Sequence, residues 1–181
     1  MQHFREEGRR RVRIRCAASS SGEEPYTIAM TAAESLDLRQ TDFKLLATDI
    51  STKVLQMASN GVYSDKHLEK VPLALKAKYF ERRDGIAGEE YSVSETLRSL
   101  VVFKRLNLSV FPYPLKGPLD IIFCRNVMIY FDNQLRGKIV AEFERLLSPG
   151  GHLFLSHSEN LLSVTHKLLG RQNSIYQKKG N

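Results

Sequence analysis

The run Ala17-Ala18-Ser19-Ser20-Ser21-Gly22 is small enough for a ligand to press against its backbone, and Glu23-Glu24 stand directly behind it. Acidic side chains at a helix entrance favour the helix dipole by ~0.3–1 kcal/mol, so capping alone accounts for the pair. The same carboxylates would repel a pyrophosphate at that helix end, and the GxGxxG pattern is absent. A cationic or zwitterionic ligand suits the site better. Asp49 lies 27 residues after Gly22, a slightly long version of the spacing at which a strand-end acid reaches ribose hydroxyls. It serves equally as a cap for the helix behind it. A small-residue turn, a helix-entry carboxylate and a strand-end acid together describe an adenosine ligand without phosphates, and S-adenosylmethionine is such a ligand.

Arg125-Asn126 precedes the apolar run Val127 to Phe131, and a charge abutting so apolar a run needs a partner or a ligand. A structural salt bridge meets that need as well. Tyr130 reads as a core aromatic or as a site residue, and Asn107 as a turn former. His152, His157 and His166 lack metal-ligand spacing with Asp or Glu on a shared helix. Ser156-His157-Ser158-Glu159 is not read as a triad, because adjacent positions rarely form one and no GxSxG elbow is present. Cys16 and Cys124 build no disulfide framework and sit in no CxxC pair, which points to a reducing, cytoplasmic setting.

These residues need strand ends to hold them, and the chain supplies alternating strand-like and helix-like segments, the pattern of an α/β fold. Val12, Ile14 and Cys16 alternate with arginines in a first strand. A helix starts at Glu23, with Ser21 placed to cap it. Phe43–Ala47 predicts a second strand, and Ser51–Ser59 a helix closed by Asn60-Gly61. Helical turns follow around Asp65–Lys70 and Leu73–Phe80. Tyr91–Val93 and Val101–Leu106 read as short antiparallel strands of an insertion spanning about 80–106. Leu119–Cys124 is a core strand, Asn133–Leu147 an amphipathic helix ended by Pro149-Gly150-Gly151, and His152–Leu155 a strand. Asn173–Gln177 is the last strand, preceded by mixed helix and loop.

With 181 residues, 42% hydrophobic and 26% charged, the chain suits one globular domain and not a disordered one. No apolar run approaches a membrane span and no secretory h-region follows the basic start. The net charge is +7, and six arginines against two glutamates stand between Met1 and Arg15. Nucleic acid, an acidic protein partner and a solvated basic face all fit that excess.

The chain closely resembles the chemotaxis receptor glutamate methyltransferases (CheR-type), a branch of the class I S-adenosylmethionine-dependent methyltransferases. The likeness rests on Ser20-Ser21-Gly22-Glu23-Glu24-Pro25-Tyr26, Ala47-Thr48-Asp49-Ile50, Leu106-Asn107-Leu108, Phe123-Cys124-Arg125-Asn126-Val127-Met128-Ile129-Tyr130-Phe131 and His157-Ser158-Glu159-Asn160. It runs from about Val12 to the last strand. The resemblance implies a seven-stranded Rossmann-like sheet over residues 12–181 with a small inserted antiparallel β-subdomain. It implies that Glu24 and Asp49 contact the amino-acid and ribose parts of S-adenosylmethionine, that Asn107 and Leu108 flank the adenine, and that Arg125 and Asn126 contact the methionine end. Tyr130 would face the substrate carboxylate and the methyl, sharing the catalytic role with Arg125. The substrate class implied is the methylation helices of chemoreceptors, with the receptor's C-terminal tail on the β-subdomain, and neither nucleic acid nor membrane insertion.

Family members also carry an N-terminal helical domain ending in an N-x-T-x-F-F-R-like motif that supplies a substrate-facing arginine. His3-Phe4-Arg5-Glu6 only echoes it, and residues 1–11 read as the tail of that region or its linker. Ala18 stands where many relatives have Gly. Two other readings fit the sequence: a cofactor- or receptor-binding module with little turnover, and a class I methyltransferase with another substrate. Against the second, no base-methylation D/N-P-P-Y/F motif follows the core strand. The enzyme reading requires Glu24, Asp49 and Arg125 to meet around one pocket.

Overall fold

Val12, Ile14 and Cys16 are enclosed, as their alternation predicts, yet Arg15 and Ala17 on the opposite face are enclosed as well. Their strand has protein on both sides, the condition of a central strand in a parallel sheet. The computed structural model describes residues 1–85, 88–172 and 174–180. A short helix, α1 (Gln2–Glu6), puts Phe4 into the core ahead of β1 (Arg11–Ala17). α2 (Glu23–Ser35) buries Ile28, Ala29 and Ala32. After β2 (Asp42–Asp49), α3 (Thr52–Asn60) is capped by Ser51 Oγ, which accepts from Val54 N at 3.4 Å, and ends at the left-handed Gly61. β3 (Val62–Ser64), a 3-10 turn over Asp65–Leu68, α4 (Leu73–Tyr79), β4 (Phe80–Gly85) and β5 (Gly88–Val93) follow. α5 (Glu95–Arg98) leads to β6 (Val101–Arg105), and β7 (Leu119–Cys124) to a 3-10 turn over Met128–Tyr130. α6 (Asn133–Leu146) is capped by Asp132, and β8 (Leu147–Phe154), β9 (Leu169–Gln172) and β10 (Ile175–Gln177) complete the fold.

Among the described residues the large sheet has seven strands in the order β6-β2-β1-β7-β8-β10-β9. Strands β6, β2, β1, β7 and β8 run parallel, and β10 is antiparallel to both β8 and β9. The chain leaves β1 for β2 on one side and reaches β7 on the other, so the order reverses beside β1, where open α/β sheets bind ligands. Asp120, the one polar residue in the β7 core run, accepts from Arg13 N at 2.8 Å and Arg9 Nη1 at 3.1 Å, which explains its presence there. No helix among the described residues is long and apolar enough to cross a membrane.

A separate three-stranded antiparallel sheet has the order β3-β5-β4. Its existence was expected, but its membership differs. Val101–Leu106 was read as antiparallel; instead β6 pairs parallel with β2, from Leu45↔Val101 to Asp49↔Arg105. As an edge strand of the large sheet, β6 buries only Val101, which imitates a one-faced antiparallel strand. The small sheet draws on Val62–Ser64, Phe80–Gly85 and Gly88–Val93 instead. β4, Phe-Glu-Arg-Arg-Asp-Gly, shows no apolar alternation, and β9 falls in the stretch that the sequence predicts as mixed helix and loop. Pro149-Gly150-Gly151 lies inside β8. Asn173, placed in the last strand, lies outside the described residues; β10 begins at Ile175.

Arg15 overturns the simple reading of β1 as a strand with one polar face. Its guanidinium is wholly buried, 4.9 Å from the Tyr113 ring centre and 5.6 Å from that of Phe143. Nη2 donates to Thr48 Oγ1 at 3.3 Å, while Nε and Nη1 have no partner. Loss of water lowers its pKa.

Candidate functional site

In register, Ala17 at the end of β1 stands between Thr48 of β2 and Cys124 of β7. Ala18, Asp49 and Arg125 therefore emerge side by side from three neighbouring strands. The turn after β1 is tightly wound, with left-handed φ values at Ala18 (65°), Ser20 (49°) and Gly22 (102°). Such backbone costs non-glycine residues roughly 1–3 kcal/mol each and persists only when the surroundings fix it. Three contacts do so: Ser19 N donates to Thr48 O at 2.9 Å, Ser20 N to Asp49 Oδ2 at 2.9 Å, and Tyr63 Oη to Ser21 O at 2.8 Å. At Gly22 a Cβ would stand 2.6 Å from Tyr63 Oη and 2.9 Å from Ala58 Cβ, so only glycine fits. Gly22, not Ser21, holds the N-cap position of α2; Ser21 Oγ turns to the Glu23 carboxylate instead.

Asp49 also accepts from Ser51 N at 3.0 Å through Oδ1, so it joins the β1 turn to the start of α3. On the other side of β1, Glu24 receives Arg125 Nη1 at 2.6 Å and the Cys16 thiol at 3.1 Å. Burial, reinforced by the Glu24 charge, pushes the Cys16 thiol well up, so it stays protonated and donates.

The loop after β7 is organised by Glu159, which is 1% exposed. Its carboxylate accepts from three consecutive amides, Asn126 (3.0 Å), Val127 (3.0 Å) and Met128 (2.8 Å). Ser156 adds its amide at 3.0 Å and its hydroxyl at 2.7 Å. Burial pushes the Glu159 pKa up, but the hydrogen bonds from Ser156, Asn126 and Met128 outweigh it and hold the carboxyl below its usual range. Asn126, at φ 57°, takes the left-handed position in this loop.

Two hollows open beside these loops. One, of about 440 Å³, is lined by Glu23, Glu24, Thr27, Phe123, Arg125 and Phe154. The other, of about 230 Å³, is lined by Ala18, Asp49, Asn107, Leu108, Val127 and Phe131. Glu24 and Arg125 thus meet, and so do Asp49, Asn107 and Leu108, but the two groups flank the β1 turn and do not share one cavity. Asn126 and Tyr130 line neither hollow, and Tyr130 is 77% exposed on its 3-10 turn. Asn107 makes the turn its residue type suggests, accepting from Ser109 N at 2.9 Å. Two further residues shape the site without having been read that way: Glu159, part of the His-Ser-Glu-Asn run, and Tyr63. Glu159 carries a signal in the sequence only through that run, and no local pattern marks Tyr63.

The residues offer a fit to S-adenosylmethionine. Carboxylates and a guanidinium line one hollow, and the other is lined by apolar side chains together with an acid and an amide. Among the described residues no three His, Cys, Asp or Glu side chains could hold a metal ion.

The model of the CheR methyltransferase S-adenosylmethionine-binding domain matches residues 1–176. The chain is 41% identical over 167 residues to chemotaxis protein methyltransferase 2 of Pseudomonas aeruginosa, covering 92% of this chain and 60% of that protein. It is 40% identical over 164 residues to the chemotaxis protein methyltransferase of Escherichia coli, covering 91% and 57%. With the counterpart from Borreliella burgdorferi the identity is 41% over 152 residues, covering 83% and 53%. The chain therefore spans about three-fifths or less of the length of these relatives. A methyltransferase structure from Methanosarcina mazei aligns over 86% of this chain and 56% of its own at 15% identity and a TM-score of 0.48, too slight a likeness to add to the family match. The strand-end site thus sits in a chain that belongs to the CheR methyltransferase family, within its S-adenosylmethionine-binding domain.

Proposed function

We propose that this chain binds S-adenosylmethionine and forms γ-methyl esters on glutamates of chemoreceptor methylation helices in the cytoplasm. The single pocket expected around Glu24, Asp49 and Arg125 is replaced by two hollows on either side of the β1 turn. The observation that carries the reading is that Asp49 and Arg125 leave the strands flanking β1, with Glu24 of α2 paired to Arg125, within the family match. Asp49, Asn107 and Leu108 would hold the nucleoside end, and Glu24, Arg125 and Asn126 the amino-acid end, on the two sides of the Ala18–Gly22 turn. The bound sulfonium supplies an activated methyl group. A receptor glutamate, with a pKa near ~4.3, is already ionised at neutral pH, so no general base is required. The work left to the protein is alignment of the carboxylate with the methyl. Arg125, fixed by Glu24, and Tyr130, on the turn that Glu159 organises, are assigned that work. The +7 charge would draw an acidic receptor helix to the site, and the small β3-β5-β4 sheet would take the receptor's C-terminal tail.

Calorimetric titration with S-adenosylhomocysteine, followed by radiolabelled methyl transfer to receptor, tests this proposal. Substitution Tyr130→Phe should slow ester formation while leaving S-adenosylhomocysteine affinity unchanged; an unaltered rate removes Tyr130 from the reaction. The exposure of Tyr130 favours a second reading, a module that binds cofactor but turns over poorly by itself. Binding without transfer would select it.

A further inference from the structure

Tyr63 belongs to the small antiparallel sheet, yet its hydroxyl reaches out of that sheet to the turn after β1. We infer that Tyr63 is a positioning residue for the cofactor site, its hydroxyl fixing the Ser20–Gly22 backbone that sets the entry of α2 and with it Glu24. The inference rests on the proposed cofactor reading and adds a residue to it. Tyr63 is the middle residue of β3, paired with Tyr91 of β5, so its ring is held by the small sheet. It is buried, and its ring packs edge-on to Tyr26 at 6.2 Å. The hydroxyl donates to Ser21 O at 2.8 Å, between two left-handed residues, Ser20 and Gly22. The absence of a side chain at Gly22 is what lets the phenol come so close. Burial raises the Tyr63 pKa, so the hydroxyl keeps its proton and remains a donor across the working pH range. Two residues beyond the fixed carbonyl begins α2, whose second residue, Glu24, is bonded to Arg125.

Tyr26 provides an internal control. Its hydroxyl is also enclosed and donates to Ala58 O at 2.9 Å, in the same aromatic cluster, so that its bond goes to α3 and not to the turn backbone. The experiment compares Tyr63→Phe with Tyr26→Phe in the full chain by calorimetric titration with S-adenosylhomocysteine, thermal midpoint, and hydrogen exchange at the amides of residues 19–24. A single hydrogen bond sets the scale, so Tyr63→Phe should weaken binding by roughly three- to tenfold. The same variant should raise KM for the methyl donor at unchanged kcat and speed exchange in the turn. Tyr26→Phe should lower the thermal midpoint comparably and leave affinity and turn exchange as in wild type. Equal losses of affinity in the two variants, unchanged affinity in Tyr63→Phe, or its collapse to an unfolded chain would assign Tyr63 to the core and overturn the inference. Failure of the wild-type chain to bind S-adenosylhomocysteine would instead remove the cofactor reading beneath it.

Discussion

The turn Ala18–Gly22 and the loop Arg125–Tyr130 leave neighbouring strands at the same edge of the sheet, and both contain left-handed non-glycine residues. They are secured differently. The first is tied at three points by three separate groups: the Thr48 carbonyl, the Asp49 carboxylate and the Tyr63 hydroxyl. The second hangs three successive amides on one buried carboxylate, Glu159. Dispersed anchoring divides the support of the turn, so the loss of one contact loosens it without releasing it. Concentrated anchoring makes the loop depend on a single side chain and its ionisation.

The largest expected effect breaks the concentrated anchor. Glu159→Ala leaves the amides of Asn126, Val127, Met128 and Ser156 without an acceptor. At roughly 1–3 kcal/mol for each donor that water cannot reach, the loss of stability should exceed about 3 kcal/mol in urea unfolding. A loss below about 1 kcal/mol would show that the loop has other support. A related effect appears in pH. The folded-state pKa of Glu159 is depressed, so its contribution is full above the unfolded value of about 4.3 and disappears as pH falls through the folded value. The stability gap between wild type and Glu159→Gln should therefore narrow as pH drops below about 4; a constant gap contradicts the assignment.

Dispersed anchoring predicts a smaller response. Asp49→Asn keeps one acceptor oxygen and loses the other, so one of the Ser20 and Ser51 amides is left unpaired. Stability should fall by about 1 kcal/mol, with hydrogen exchange at Asn126–Met128 unaltered. Exchange that quickens in both loops would erase the distinction between them. Smallest of all, Ala18→Gly relieves a positive φ but adds chain entropy to the unfolded state, and a net gain of at most about 0.5 kcal/mol is expected. A clear drop in thermal midpoint would mean that the turn is not strained at Ala18.

Elements with a local signature were legible in the sequence. The Val12-Ile14-Cys16 alternation, the helix over Ser51–Ser59 with its Gly61 stop, and the Leu135 to Leu146 stripe of α6 all correspond to observed elements, although the cap of α3 is Ser51 and not Asp49. Elements defined by a distant partner were not. Phe80–Gly85 is a strand because β5 folds back on it, and Val101–Arg105 joins the large sheet because β2 offers an edge. The residue types at the site were legible for a similar reason: Asp49 and Arg125 stand next to strand ends, and Glu24 at a helix entrance, that the pattern locates. Their division between two hollows depends on the path of the β1 turn, which is set by Tyr63 and Asp49 from elsewhere in the chain. Glu159 acts on amides 31 to 33 positions away, beyond any local pattern.

Arg15 has one more consequence. With its charge spread over two ring faces and two of its nitrogens unsatisfied, the layer between the sheet and α6 holds a buried positive charge that the Glu142 carboxylate favours through space without hydrogen-bonding to it. Sequence change in that layer is therefore directional. A second cation there would be repelled at short range through a poorly screening medium, whereas an acidic or hydroxyl-bearing side chain placed against the guanidinium would find a ready-made donor.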